Sequence, residues 1–147
     1  MVIGLTALLL VALVWRGAGA IQDSFARRSA EPAQPLFQFV AATRSPDDLY
    51  LVPPSMAEFR LETGAPVFVT YKSHPYKDVE IIEWYDRLET ADDFYADVDC
   101  DRLGELSAER MLSHVVFIAG QEVQACTGTT EIYRDDSYVL LQVDNRG

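Results

Sequence analysis

Short unbroken apolar runs alternate with helical periodicity along this chain, and that alternation is the strongest constraint on its fold. Short apolar runs rich in β-branched and aromatic residues, at 49–52, 66–71 and 114–119, have the length and composition of buried strands. Between the second and third lies the stretch 79–95. Its apolar residues Ile81, Trp84, Tyr85 and Leu88 recur at i, i+3, i+4 and i+7. That spacing gathers them on one face of a helix, with Glu80, Glu83, Asp86 and Arg87 largely on the wet side. Asp78 stands where a helix cap is wanted. A shorter helix is expected over 56–62, capped by Ser55 and stopped at Gly64, and another over 103–112. One or two helical turns are expected over 36–43. Strands alternating with helices imply βαβ units, so the expected fold is α/β, a mainly parallel sheet with flanking helices. A C-terminal antiparallel hairpin closes it: 129–134 runs into Asp135-Asp136-Ser137, and 138–143 returns.

A segment of different character precedes this pattern. Residues 1–15 carry no charge and are dominated by Leu, Val and Ala; Arg16 then interrupts, and 17–21 resume weakly. As a helix, the uncharged run rises only ~22 Å against a hydrocarbon core of ~30 Å. Three membrane readings stay open. One is a signal peptide cleaved after Ala18-Gly19-Ala20, although no positive residue precedes its apolar run. The others are a signal anchor and the end of a longer transmembrane helix with Met1 an internal start; a buried core helix is the remaining alternative. The expected organisation is an N-terminal hydrophobic helix in the membrane over 1–21, a Pro-containing linker over 22–35, and one domain over 36–147. Arg16, Arg27 and Arg28 all follow the apolar run, a pattern that favours a cytoplasmic domain.

The net charge is −11, and only Asp23 among the acids precedes Ser29, so the domain holds nearly all the negative charge. Nucleic-acid phosphates need clustered Lys and Arg, so no nucleic-acid partner is expected. Anionic lipid headgroups are disfavoured for the same reason. Solubility through self-repulsion is the plain reading of such acidity. The two cysteines, Cys100 and Cys126, are too few for a disulfide framework and fit no zinc spacing. A bridge between them is open if the domain folds outside the cytoplasm; otherwise both are ordinary small residues.

One loop stands out for chemistry. Residues 72–78 follow an expected strand, and open α/β sheets bind ligands beyond the carboxyl ends of their strands. The loop offers Lys72 and Lys77 as cations, Ser73 and Tyr76 as hydroxyls, His74, and a helix N-terminus at Asp78 that favours anions. Arg60 either reaches the same crevice or pairs with Glu58, Glu62 or Asp86. A phosphate or sugar-phosphate suits this set. The plainer alternative is a polar loop whose lysines offset nearby acids. No catalytic residue, metal or cofactor is expected. His74 and His114 lie far apart without His or Cys neighbours, no G-x-S-x-G is present, and the glycines stand alone. Asp97-Val98-Asp99-Cys100-Asp101 fails as a calcium loop, having Arg102 and Ala108 where Gly and Glu are required. Trp84, on the expected core face, reads as packing.

The runs Ser45-Pro-Asp-Asp-Leu-Tyr-Leu-Val-Pro-Pro54, Phe59-Arg60, Pro66-Val-Phe-Val-Thr-Tyr-Lys-Ser73 and Glu83-Trp84-Tyr85-Asp86-Arg87-Leu88 together resemble a bacterial tail domain. His114-Val-Val-Phe-Ile118 and Tyr133-Arg-Asp-Asp-Ser-Tyr-Val-Leu-Leu141 extend the resemblance, which covers about 36–143. Such uncharacterised tails follow the last transmembrane helix of polytopic membrane proteins that look like multi-spanning, lipid-linked-sugar glycosyltransferases. The resemblance implies an extracytoplasmic α/β domain and supports the truncated-helix reading of 1–15. The expected function is therefore a membrane-tethered, non-catalytic accessory domain of a bacterial envelope protein, positioning a membrane-protein partner or a glycan. The alternatives are a fragment of such a transferase and a small stand-alone α/β hydrolase.

Overall fold

Residues 114–117 and 139–141 are buried without a break. Unbroken burial along a strand requires cover on both faces of its sheet, and helices supply it here. The computed structural model describes Trp15, residues 31–121 and residues 126–144. The chain divides into the units Met1–Gln34 and Pro35–Gly147; of the first, Trp15 and residues 31–34 are described. In chain order the elements are α1 (Gln34–Thr43), β1 (Tyr50–Leu51), α2 (Phe59–Thr63), α3 (Asp78–Ala96), α4 (Cys100–Arg110), β2 (His114–Ile118), β3 (Thr129–Arg134) and β4 (Tyr138–Val143).

The sheet has four strands in the order β1-β2-β4-β3. Only β1 and β2 run parallel; β2–β4 and β3–β4 are antiparallel. This small mixed, mostly antiparallel sheet corrects the expected mainly parallel one, for two reasons. First, the run 66–71 does not become a strand. It makes one parallel bridge, Val67 with Tyr50. Tyr50 N–H donates to the Pro66 carbonyl at 3.0 Å and Phe68 N–H donates to the Tyr50 carbonyl at 2.8 Å. Pro66 has no N–H to extend the ladder, and a turn from Thr70 to Ser73 then carries the chain away. Phe68 and Val69 are nonetheless buried, so strand composition here serves a buried connection. Second, the C-terminal hairpin supplies half the strands and inserts β4 beside β2.

Register assigns the faces. Leu51, Val115, Phe117, Val139 and Leu141 turn to one side, where they join Ala91 and Phe94 of α3 and Leu103 and Leu106 of α4. Tyr50 turns to the other side, meeting Phe59 of α2 at 5.5 Å between ring centroids, and Phe59 meets Phe37 of α1 edge-on at 5.8 Å. Tyr95 of α3 lies 2.8 Å from the Val116 carbonyl and 3.2 Å from that of Leu51, so its hydroxyl joins helix to sheet. At the start of α4, the Asp99 carboxylate accepts from the Arg102 N–H at 2.8 Å. Cys100 and Cys126 are bridged, tying the first residue of α4 to the stretch before β3.

The expected hydrophobic helix over 1–21 lies, Trp15 apart, outside the described residues. Among the described residues no helix is long and apolar enough to cross a membrane. The membrane anchor and the membrane location built on it are withdrawn on that finding.

Candidate functional site

The segment joining Thr70 to α3 is held by side chains at its base and open at its tip. Ser73 Oγ donates to the Thr70 carbonyl at 3.0 Å and accepts from the Thr70 N–H at 3.3 Å, closing a turn. Trp84 Nε1–H donates to the same carbonyl at 3.2 Å, and the Tyr71 hydroxyl donates to Asp92 at 2.7 Å. That second bond raises the Tyr71 hydroxyl pKa. His74 rests edge-on to Trp84, with ring centroids 6.4 Å apart. Trp84 thus seats the loop on α3, a polar task beyond the packing expected of it.

The expected ligand residues are mostly engaged elsewhere. Lys72 Nζ pairs with Glu58 at 2.6 Å and Lys77 Nζ with Glu80 at 3.1 Å. Ser73 is consumed by its turn. Asp78 lies in the first turn of α3, with Lys77 at the cap position. Arg60 stands exposed on α2, while Glu58, one of its expected partners, is taken by Lys72. Tyr76 projects into solvent, 96% exposed, with its ring 6.1 Å from that of His74.

Beside Tyr76 the structure reveals a surface that sequence spacing missed. Residues 76–83 are all exposed, although several are apolar. Val79 is 80% exposed, Ile82 66% and Tyr85 58%. The stripe of α3 that meets the core runs through Trp84, Leu88, Ala91, Phe94 and Tyr95, rotated from the expected Ile81–Trp84–Tyr85–Leu88 face. The available signal was a surplus: Val79 and Ile82 are apolar positions that the core stripe does not use.

A second polar grouping lies at the mouth of β1 and β2. His114 is buried and stacks on Tyr50 with centroids 4.5 Å apart. Its Nδ1 lies 2.8 Å from Ser113 Oγ and 3.9 Å from an Asp48 oxygen. Burial pushes the His114 pKa down, against the upward pull of Asp48. Ser, His and Asp invite comparison with a hydrolase triad. A triad needs the nucleophile on one ring nitrogen and the acid on the other. Here both approach Nδ1. Ser113 Oγ also accepts from the Leu49 N–H at 2.8 Å, so the group fastens β1 to β2 and is not arranged for acyl transfer. Among the described residues no group of three His, Cys, Asp or Glu is placed to hold a metal.

Residues 31–91 match the family model of a domain of unknown function, DUF6798. The match spans α1, β1, α2 and most of α3, including the loop and the exposed face. No curated protein and no solved structure matches the chain. An uncharacterised domain is what the resemblance led us to expect. The match carries no link to a bacterial source or to glycosyltransferases, and the glycosyltransferase likeness is set aside.

Proposed function

We propose that this domain is a non-catalytic binding module whose working surface is the outward face of α3 together with the Tyr76 loop. The observation that carries the reading is the exposure of Val79, Ile82 and Tyr85 at successive i, i+3 positions of α3, with Tyr76 exposed in the loop that precedes them. Contiguous apolar surface of this kind marks recognition sites on soluble proteins. Two further facts support binding over chemistry. The Ser113–His114–Asp48 group is wired through one nitrogen, and Lys72 and Lys77 are neutralised by Glu58 and Glu80. The partner is a protein or a glycan; a net charge of −11 opposes nucleic acid.

The test is an amide NMR titration of the full chain with neutral and anionic oligosaccharides and with amphipathic peptides. Shifts are expected to cluster on 74–86. Shifts confined to the surroundings of Asp48 and His114 would overturn the proposal. So would turnover of a simple ester or phosphate that disappears in His114→Gln.

A further inference from the structure

We infer that the partner of this face is a cationic amphipathic protein helix, an inference that rests on the reading of α3 as the working surface. On a helix, residues three and four apart are neighbours. Val79 and Tyr85 therefore flank Ile82 along the axis, and Asp78 and Asp86 stand one turn before and after it. Glu89 lies one further turn along the same outward side. The apolar strip is thus edged by carboxylates.

The cations near this strip are already engaged. Lys77 pairs with Glu80 at 3.1 Å, Arg87 pairs with Glu83, and Lys72 pairs with Glu58 at 2.6 Å. Among the described residues, Asp78, Asp86 and Glu89 form no ion pair, so the charge edging the strip is left unbalanced. The matching surface must be apolar along its centre and basic along its margins. From Val79 to Tyr85 the strip rises ~9 Å along the helix axis, two neighbouring turns of a partner helix packed alongside.

Other occupants fit less well. A glycan would stack on Tyr76 and Tyr85 but leave the carboxylates uncompensated and Val79 and Ile82 against polar groups. A second copy would set Asp78, Asp86 and Glu89 against their own kind, and like charges across an interface are repulsive. A helix carrying Lys or Arg beside its apolar stripe answers both features, as in the helix-in-groove mode of recognition.

The experiment is fluorescence anisotropy on the full chain with three labelled 18-residue peptides. One has Leu and Lys in helical period, one replaces Lys by Glu, and one scrambles the first. The periodic Leu/Lys peptide is expected to bind at least tenfold tighter than either control. I82S/Y85S and D78N/D86N/E89Q, whose folding is checked by circular dichroism melts, should each weaken it by tenfold or more. The second variant should also flatten the salt dependence. Equal binding of the Leu/Glu peptide, or full affinity in the charge-neutral variant, would overturn the inference. Oligosaccharide shifts on 74–86 without peptide binding would overturn it too, yet leave the binding-surface reading standing. So would self-association of the full chain that I82S/Y85S abolishes. Absence of every ligand from this face would overturn both.

Discussion

The two ends of α3 are made of similar residues and live in different surroundings. Val79, Ile81, Ile82 and Tyr85 near its start are exposed, while Ala91 and Phe94 near its end are fully buried. The later turns lie against a sheet face built by Leu51, Val115, Phe117 and Val139. The earlier turns are attached through Trp84 and its bond to the Thr70 carbonyl, because the run 66–71 leaves the sheet after one bridge. Apolar composition therefore determines burial only where the fold brings up a surface to cover it. Where it does not, the same residues stay exposed to solvent.

The sharpest way to break this comparison is truncation on the buried end. Phe94 packs on Tyr95 and Phe117 with ring centroids 5.2 and 6.1 Å away. Phe94→Ala should lower the unfolding free energy by about 3–5 kcal/mol through lost contacts and a residual cavity. Urea titration followed by circular dichroism measures it; a change below about 1 kcal/mol would mean that the late turns of α3 are not core. Next in size is the Cys100–Cys126 bridge, which closes a loop of sequence separation 26. Its removal in C100S/C126S should cost about 3 kcal/mol, mainly through a freer unfolded chain. Amide shifts over 79–85 should not move in that variant, since the bridge lies on the α4 side.

A smaller effect follows from His114. Burial holds its folded pKa below the ordinary 6.5, with Asp48 pulling the other way. The unfolded chain therefore takes up this proton at a higher pH than the folded one. Its contribution is fully present above pH 6.5 and is lost as pH falls below that, by at most ~1.4 kcal/mol per pH unit. Thermal melts between pH 7 and 5 should show the slope in the natural chain and a flatter one in His114→Gln. Asp135 acts in a separate window. Burial works to raise its pKa, but hydrogen bonds from the Tyr133 hydroxyl and from the Ser137 and Tyr138 N–H groups prevail and lower it. Its contribution is therefore lost only below about 3.8.

What the sequence revealed and what it hid follow one physical line. The stop at Gly64, the hairpin at 129–143 and the helix near 103–112 rest on local chemistry, and the structure has each within a few residues. The fate of 66–71 depended on a neighbour: a strand needs an edge to pair with, and β1 offers two residues. The grouping of Asp48, Ser113 and His114 joins positions far apart in the chain, with no local mark on any of them. The exposed face of α3 lay between these cases. Periodicity located the helix, but two apolar registers were present along it, and only the sheet decided which one was covered.

That choice of register gives the finest test. Ile82 is 66% exposed, so Ile82→Ser removes little buried area and should change stability by no more than about 0.5 kcal/mol. If urea titration instead shows a loss near that of Phe94→Ala, Ile82 is covered in solution and the face is not free. If stability holds while peptide affinity falls tenfold or more, the two ends of one helix have been separated by function. Apolar residues at the end then hold the fold, and those at the start serve recognition. Ile82→Ser is informative because it changes the apolar register on the exposed side alone.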